Sequence, residues 1–473
     1  MSALLTLSDA QLAELRARLD RLADGAPGGA LLSVTLDLGE GCRDWLHRQP
    51  KTREFCYWAR PDAGLHRLGL GRAVVCTSAG PARFTALQAA HAGIAADWRH
   101  DAGGSAHAPV ACLGFAFDDS PRVLPGRQAG SRRERPWDAA EAPREQGGEL
   151  PNAQLGVAAV LLTTAGGRGS ATFTTPARDC AGAVERWRRL LAAQPAAPLP
   201  APGTPPAGAL AARAWNARVE RALAAIAAGE LDKVVLSRSL RLPLAGRLAP
   251  AALLARLVAQ HPESTVFAIG GEQAVFLGAT PEQLVGLRSG EARADALAGT
   301  AWDDEPLAID KNAHEQALVV DAIRAALAPL CATLALPPAP RVLELRGLRH
   351  LWTPIVGRVR PGIGLFDLVA RLHPTPAVGG WPGEAARDWL RRHGERRPGW
   401  YAGGIGWIDR RGDGEVAVAL RCGLLTARHI ELSAGAGIVA GSRAEHEFRE
   451  TEAKLGTMLG ALAADDGQAR TGT

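Results

Sequence analysis

Lysine is so scarce in this sequence that the positions where it occurs suggest chemistry. Lysine and arginine together number 54, yet the lysines are only Lys51, Lys233, Lys311 and Lys454. In a chain that uses arginine nearly everywhere, a retained lysine indicates a need for a compact ammonium group that can lose its proton. Chance retention explains any single lysine equally well. The last three, however, lie in segments with further chemical signals.

Lys233 and Glu282 have the residue types of a base and an acid. Lys233 begins the strand-like segment KVVLSR, and Glu282 follows a Thr-Pro turn in FLGATPEQLV. Apolar neighbours would raise the pKa of the Glu282 carboxyl if it is buried. A lysine and a glutamic acid held on opposite sides of a substrate can remove one proton and deliver another.

Two predicted helices carry carboxylates close to their apolar sides. In the helix predicted over residues 306–330, Glu315 falls on the core-facing side, where a carboxylate needs a partner or a metal. Glu447, Glu450 and Lys454 share one face of the last helix. Such a cluster could bind a hard cation, since Mg²⁺ prefers oxygen ligands, together with an anion. Exposed carboxylates and a weak surface ion pair are the alternative interpretation.

Several segments between these helices could bind an anionic ligand. An apolar strand leads into Gly435, Ala436 and Gly437, which we expect to form a loop whose N–H groups approach an anion. Arg421 ends an alternating strand, where its guanidinium could bind a carboxylate with two hydrogen bonds. GWYAGGIGW holds Tyr401, one of two tyrosines.

A proline-punctuated segment, LHPTPAVGGWP, contributes His373. Prolines on both sides restrict the backbone, so this histidine would be held in a rigid turn. A single histidine in such a turn is more often a structural residue than a ligand.

The elements that must position these residues follow a clear order along the chain. The pattern predicts an N-terminal helix over 1–25 and short strands between about 30 and 190, with a mobile polar loop over 120–150. A hairpin is predicted around 410–414. The expected divisions are an N-terminal sheet and helix portion (1–190), a Pro/Ala-rich linker (191–211), a catalytic portion (212–463) and a disordered tail (464–473).

Composition narrows the class of protein. With 47% apolar and 22% charged residues among 473, the chain can bury a large core, and no segment is apolar enough to cross a membrane. The seven scattered cysteines lack C-x-x-C spacing, which argues against a zinc site and a disulfide framework. The net charge of +5 is spread evenly, so we expect no nucleic-acid partner. A cytoplasmic location is expected, since no secretion signal is evident.

Nine segments in sequence order resemble the chorismate-utilising enzymes, and within that family the isochorismate synthases. They are KVVLSR, FLGATPEQLV, ALAGT, the Lys-x-x-x-Glu helix, LHPTPAVGG, GWYAGGIGW, VALRC, GAGIV and ExxETxxK, within residues 212–463. The resemblance implies an α+β fold with two large, mostly antiparallel β-sheets packed face to face and helices on the outside. It also implies that the linker is a crossover within one fold.

The resemblance further implies the chemistry of the site, with chorismate as substrate and Mg²⁺ as cofactor. Lys233 would deprotonate water for attack at C2, while Glu282 would protonate the departing C4 hydroxyl. Glu315 and Glu450 would ligate Mg²⁺. The residues expected to bind the substrate are Gly299, Thr300, His373, Ala377, Tyr401, Arg421, Gly435, Ala436, Gly437, Glu447 and Lys454.

Two positions separate this sequence from other members of the family. Relatives that use ammonia usually carry glutamine where this chain has Lys233, so water is the expected nucleophile and no glutaminase subunit is expected. Salicylate synthases, the main alternative, resemble a Thr-Ala-Ser-Gly turn where this chain has Ala377 and Val378. That apolar pair favours stopping at isochorismate. The resemblance favours none of menaquinone, catechol siderophore or salicylate biosynthesis.

The sequence also departs from the family at a few positions. After ALAGT it continues with residues 301–304, Ala-Trp-Asp-Asp, where relatives often have Arg-x-Arg-Gly. Asn312 and Gln316 replace the usual Asp and His. A catalytically inactive binding protein is a separate alternative, disfavoured because every expected catalytic residue is present. Nothing in the sequence demands a partner chain, and a monomer is expected.

Overall fold

The computed structural model describes residues 3–41, 44–119, 150–195, 208–271, 273–301, 306–307, 310–345 and 348–463. The mobile loop predicted over 120–150 falls almost entirely outside the described residues. The predicted tail over 464–473 and most of the linker also lie outside them.

The predicted N-terminal helix is present and begins with a capping box. Oγ of Ser8 accepts the N–H of Gln11 (3.2 Å), and Oε1 of Gln11 accepts the N–H of Ser8 (3.0 Å). No described helix is long and apolar enough to span a membrane. The helices are α1 (Asp9–Ala23), α2 (Arg83–Ala96), α3 (Ala183–Leu190), α4 (Gly208–Ala227), α5 (Pro250–Gln260), α6 (Asp310–Leu327), α7 (Leu365–Leu372), α8 (Gly383–Arg392) and α9 (Ala444–Leu462).

Strands are distributed along the whole described chain. Before the linker they are β1 (Leu31–Glu40), β2 (Arg48–Pro50), β3 (Phe55–Arg60), β4 (Leu65–Leu70), β5 (Val74–Ser78), β6 (Trp98–Asp101), β7 (Val110–Phe115), β8 (Ala153–Val157), β9 (Val160–Ala165), β10 (Arg168–Pro176) and β11 (Ala193–Pro195). After it they are β12 (Lys233–Pro243), β13 (Thr265–Gly270), β14 (Ala274–Thr280), β15 (Gln283–Arg288), β16 (Glu291–Ala301), β17 (Cys331–Ala335), β18 (Arg341–Leu345), β19 (Leu348–Val359), β20 (Gly380–Trp381), β21 (Gly404–Asp409), β22 (Gly414–Val418), β23 (Cys422–Thr426) and β24 (His429–Val439).

Two large sheets organise the described strands, so the expected α+β fold with mostly antiparallel sheets is confirmed. The first sheet has the order β20-β12-β24-β23-β14-β13-β3-β4-β9-β10-β1-β6, and only its β1–β6 pair is parallel. The second has the order β17-β19-β16-β15-β22-β21-β7-β8-β5, with β18 also paired to β19. Both sheets combine strands from before and after the linker, through the β13–β3 and β21–β7 pairs.

Strand alternation explains why the first sheet is buried on both faces. On β13, Phe267 and Ile269 join a core cluster that includes residues of both sheets. Val266 and Ala268, on the opposite face, join a second cluster with residues of α1, α3, α5 and α9. Successive strand side chains point to opposite faces, so an apolar run such as β13 serves two cores at once. Helices α2, α6 and α7 pack on the second sheet.

The predicted hairpin is also confirmed, since β21 pairs antiparallel with β22, with Trp407 opposite Glu415. Just before β21, Trp400 is fully buried and donates its indole N–H to the carbonyl of Pro151 (2.7 Å). Its ring lies against Gly114 of β7, where a Cβ would come within 2.0 Å of Trp400 Cζ3. The Trp400 ring can occupy this position because residue 114 is a glycine.

This contact predicts that Gly114→Ala destabilises the protein by about 1–3 kcal/mol, because the added methyl forces the Trp400 ring out of place. Gly93→Ala is the matched control. Gly93 lies exposed on α2 with nothing within 4 Å of a Cβ, so alanine there should be neutral or stabilise the helix by up to about 1 kcal/mol. Thermal unfolding of both variants checks the difference. Equal unfolding midpoints would contradict the packing described here.

Candidate functional site

One cavity collects chemically active side chains from both sheets and two helices. The first sheet contributes β12 and β24, and the second contributes β16 and β19. Helices α6 and α9 contribute carboxylates and an ammonium group. Its polar and charged lining residues are Glu282, Thr300, Glu315, His350, Arg397, Tyr401, Arg421, Ser433, Glu450 and Lys454.

Lys233 meets Glu315 at this cavity. Lys233 begins β12 and is completely buried, with Nζ 2.8 Å from Oε1 of Glu315 on α6. The contact is an ion pair without aligned hydrogen-bond geometry, and among the described residues Nζ has no hydrogen-bond partner. Gly437 of β24 makes room for the pair, since a Cβ there would lie 2.6 Å from Oε1 and 2.9 Å from Cε of Lys233. A buried polar atom without an aligned partner is suited to act on a ligand.

Two further lysine–glutamate pairs adjoin the first. Nζ of Lys311 lies 2.5 Å from Oε1 of Glu447, and Nζ of Lys454 lies 2.5 Å from Oε1 of Glu450. Lys454 also donates to the carbonyl of Gly435 (3.0 Å). We refer to Lys233, Lys311, Lys454, Glu315, Glu447 and Glu450 as the lysine–glutamate cluster. It contains three of the four lysines of the chain.

The pKa values of two carboxyls in this cluster, those of Glu315 and Glu447, shift in opposite directions. Burial alone would raise the pKa of Glu315, but the ammonium groups of Lys233, Lys311 and Lys454 outweigh it and hold that pKa below its ordinary value. Burial and the neighbouring Glu450 raise the pKa of Glu447 to about 7. Glu315 is therefore ionised at neutral pH, as a metal-binding carboxylate must be.

Oxygen and nitrogen ligands also gather at the start of α9. His446, Glu447 and Glu450 each place one ligand atom within 4.8 Å of the others. Glu315 faces the same cavity as Glu450 from α6. Carboxylates from two helices with open positions between them fit a divalent cation that keeps water or substrate ligands.

Glu282 is the group best suited to donate a proton. It is 4% exposed, and its carbonyl accepts the N–H of Val418 (3.0 Å), which ties the turn to β22. Burial and the nearby Asp295 raise the pKa of Glu282 to about 8, although Lys233, Lys454 and Arg421 oppose the shift. At neutral pH the carboxyl is therefore mostly protonated.

Arg421 is held by a chain of hydrogen bonds from β19 and β16. Its φ of 47° lies in the left-handed region, a strain that often marks functional positions. Nη2 of Arg421 donates to Nε2 of His350 (3.1 Å), so Nδ1 carries the proton and donates to Oγ1 of Thr300 (3.1 Å). Burial, Arg421 and Lys454 lower the pKa of His350 well below its usual value, which keeps the ring neutral.

Most of the predicted site residues meet at this cavity. Lys233 does not itself line the cavity, but it pairs with Glu315, which does. The predicted residues that line the cavity are Glu282, Gly299, Thr300, Glu315, Ala377, Tyr401, Arg421, Gly435, Gly437, Glu450 and Lys454. Glu447 is fully buried, does not line the cavity, and forms an ion pair with Lys311. Asn312 and Gln316 are buried and donate to the carbonyls of Leu307 and Ala296, respectively.

One expectation needs correction, and two further predicted site residues do not line the cavity. His373 does not line the cavity; it lies among the rings of Phe84, Phe115 and Phe117, where burial lowers the pKa of its imidazole to about 3. The segment expected to be a glycine-rich loop, residues 435–437, is part of strand β24. Strand alternation therefore turns Ala436 into the apolar core, away from the cavity that its two glycine neighbours line.

Two residues of the site escaped sequence analysis. His350 becomes visible only through the pairing of Thr300 with His350 between β16 and β19. Arg397 lies against the ring of Phe117 and donates to the carbonyls of Val378 (2.7 Å) and Val235 (2.9 Å). Neither residue stands in a motif, so spacing in the sequence carried no signal for them.

Comparison with known proteins identifies the family. A family model described as chorismate binding enzyme matches residues 29–463. The chain is 38% identical over 382 residues to the salicylate biosynthesis isochorismate synthase of Pseudomonas aeruginosa, which covers 76% of this chain and 75% of that protein. This chain belongs to the chorismate-binding enzyme family. The resemblance found in its motifs is thereby confirmed.

Further relatives of this chorismate-binding enzyme agree with that assignment. It is 38% identical to the isochorismate synthase DhbC of Bacillus subtilis, over 52% of this chain and 67% of that one. The solved structure of DhbC from Bacillus anthracis matches with a TM-score of 0.65 and 26% identity, over 87% and 96% of the two chains. MenF of Escherichia coli, at 24% identity and a TM-score of 0.73 over 96% and 100%, shares the fold.

The close approach at Gly437 generates a prediction for this site. Gly437→Ala places a methyl group against Glu315 and Lys233, so turnover of the family substrate chorismate should fall at least about tenfold, roughly 1.4 kcal/mol of barrier. Gly456→Ala on α9 is the control, because nothing lies within 4 Å of its Cβ. Steady-state kinetics, together with thermal unfolding to verify folding, checks both variants. Normal turnover by a folded Gly437→Ala protein would contradict the geometry.

Proposed function

We propose that this chain is an isochorismate synthase, which converts chorismate to isochorismate by adding water at C2 and releasing the C4 hydroxyl. The observation that carries the proposal is a buried lysine and a protonated glutamic acid at one cavity. Lys233 offers a base, and the raised pKa of Glu282, about 8, keeps an acid available at neutral pH. The names of the curated relatives support the same reaction.

The cationic groups of the cavity suit a substrate with two carboxylates. We assign Arg421 and Tyr401 to the pyruvyl carboxylate, because both line the cavity and His350 holds the guanidinium in place. Lys454 is assigned to the ring carboxylate with Thr300 and the backbone at Gly435. Its hydrogen bond to the Gly435 carbonyl already directs the ammonium group to that side.

Mg²⁺ is the proposed cofactor, held by Glu315 and Glu450. The fit rests on the low pKa of Glu315 and on the clustering of oxygen ligands around Glu450. When bound, the cation would neutralise the ring carboxylate and orient the ring. We expect it to leave the fold unaffected, because the lysine–glutamate cluster already pairs these carboxylates.

Proton transfers complete the proposed reaction. Lys233 first releases to solvent the proton that pairs it with Glu315. Its free amine then accepts a proton from water, and the resulting hydroxide bonds to C2 as the ring double bonds shift. The bond from C4 to oxygen then breaks, and Glu282 donates its proton so that the hydroxyl leaves as water. The ammonium formed on Lys233 is stabilised by Glu315, 2.8 Å away, and the displaced proton returns to Glu282 through solvent.

The direct test is incubation of the protein with chorismate and Mg²⁺, followed by chromatography of the products. Isochorismate without pyruvate is the expected result, and exhaustive chelation with EDTA should abolish its formation until Mg²⁺ is restored. Release of pyruvate with salicylate would instead identify a salicylate synthase. Unchanged chorismate in the presence of Mg²⁺, or full activity after chelation, would contradict the proposal or its cofactor, respectively.

The role of Glu282 predicts a distinct pH dependence. Above a pH of about 8 the carboxyl loses its proton, so kcat/KM should fall as the pH rises through that value. Glu282→Gln retains the shape but donates no acidic proton, and kcat should fall by about 10²- to 10⁴-fold with a smaller change in KM. Glu291→Gln, in an exposed ion pair, is the control. A variant with normal kcat would show that another group protonates the leaving hydroxyl.

The role of Lys233 is tested by Lys233→Arg. The guanidinium retains the positive charge but does not lose its proton, so isochorismate formation should fall by about 10²-fold or more. Lys51→Arg is the matched control, because Lys51 is exposed and lies outside the lysine–glutamate cluster. Thermal unfolding verifies that each variant folds. A near-normal rate with arginine would mean that Lys233 only positions the substrate.

A further inference from the structure

A pair of thiols joins the two sheets away from the catalytic cavity. Cys56 lies on β3 of the first sheet and Cys112 on β7 of the second, and their sulfur atoms are 2.8 Å apart. A disulfide bond is about 2.05 Å long, so a movement of less than about 1 Å separates this thiol pair from a covalent bond. Both side chains are half-buried free thiols.

A glycine opposite Cys56 makes space for this contact. In the first sheet Cys56 pairs with Gly69, where a Cβ would lie 2.5 Å from Sγ of Cys56. In the second sheet Cys112 pairs with Gly156. A larger residue at position 69 would displace the Cys56 thiol, so the glycine on β4 allows the contact between the two sulfur atoms.

Two arginines lie near the pair, Arg72 beside Cys56 and Arg67 beside Cys112. The guanidinium of Arg67 stacks on Trp407, 4.1 Å from the ring centre, with Nε and Nη1 buried and without hydrogen-bond partners in the described structure. The hydrogen bond from Cys112, the N–H of Gly69 and the charge of Arg72 lower the pKa of Cys56. Hydrogen bonding and burial raise the pKa of Cys112 well above its usual value. We assign Cys56 as the nucleophilic thiol and Cys112 as the resolving one, because the N–H of Gly69 and the guanidinium of Arg72 lie on the Cys56 side of the pair.

Access to the pair is through a small cavity of about 30 Å³, lined by both cysteines, Arg72 and Gly156. A cavity of this size holds a molecule about as large as water. Hydrogen peroxide fits that limit, whereas a bulky disulfide such as oxidised glutathione does not.

We propose that Cys56 and Cys112 are a peroxide-sensitive modification site that forms a disulfide between the two sheets. The Cys56 thiol attacks one oxygen of hydrogen peroxide, giving a sulfenic acid on Cys56 and one water. The Cys112 thiol then displaces the sulfenic hydroxyl, giving the disulfide and a second water. Two thiols are oxidised by two electrons, and one peroxide is reduced to two waters. The site is independent of the proposed isochorismate synthase activity.

The test uses the full chain, reduced and then exposed to hydrogen peroxide. After denaturation, alkylation of free thiols and mass spectrometry should show the loss of two of the seven thiols and one peptide linked through Cys56 and Cys112. The linked protein should unfold at a temperature several degrees higher, because the bond constrains the unfolded chain, and dithiothreitol should reverse the shift. Oxidised glutathione under the same conditions should react much more slowly.

Variants make the proposal falsifiable at each step. Cys112→Ser should form no bridge and should leave a sulfenic acid on Cys56 that dimedone labels. Cys76→Ser is the matched control, because Cys76 is also half-buried, lies on β5 of the same sheet as Cys112, and should leave the bridge intact. Retention of all seven thiols in the wild-type chain would overturn the proposal. Bridging through other cysteines, or over-oxidation of Cys56 without a bridge, would also overturn it.

Discussion

The cavity that we propose as the active site depends on one constraint, which is that every buried charge must have a partner. Lys233 is completely buried, and an unpaired ammonium group there would carry a severe desolvation cost. The lysine–glutamate cluster resolves this by alternating three ammonium groups with three carboxylates. Because its members come from β12, α6 and α9, these elements must lie side by side. The order of the first sheet, with β12 next to β24 and α9 following β24, brings β12 and α9 together, and α6 packs on the second sheet.

Close backbone approach is the second requirement of the site. Gly435 and Gly437 project no side chain into the cavity, and a Cβ at either position would collide with Tyr401 or with Glu315 and Lys233. Their strand, β24, therefore supplies a flat wall against which a ring can lie. Charged residues of the lysine–glutamate cluster and the glycine backbone of β24 both line the cavity. A charged substrate could therefore bind with little rearrangement of the protein.

The space between the sheets carries both the catalytic cavity and the thiol pair. Strand β21 links the two, because Cys112 pairs with Trp407 on β21 and Tyr401 lies just before that strand. Trp400, packed against Gly114, anchors the same region. A covalent bond between Cys56 and Cys112 would fix the spacing of the sheets at the centre of the fold, where strands from both halves of the chain pair.

The sequence alone was enough to predict those candidate site residues that stand in continuous motifs. Lys233, Glu282, Glu315 and Glu450 were identified because strand starts, turns and helical spacing are local properties, and the fold class followed from the resemblance carried by the same segments. The hairpin of β21 and β22 was predictable for the same reason, since its turn is local.

Tertiary structure decided what depends on pairing between distant strands. The partnership of His350 with Arg421 and Thr300 requires the register of β16 against β19, and the contact of Cys56 with Cys112 requires the packing of two sheets. The inward or outward direction of Ala436 depended on whether its segment was strand or loop, which pairing with β12 settles. Spacing along the chain specifies which side chains share one face of a helix or strand. Burial and hydrogen bonding across the whole fold decide which other elements pack against that face.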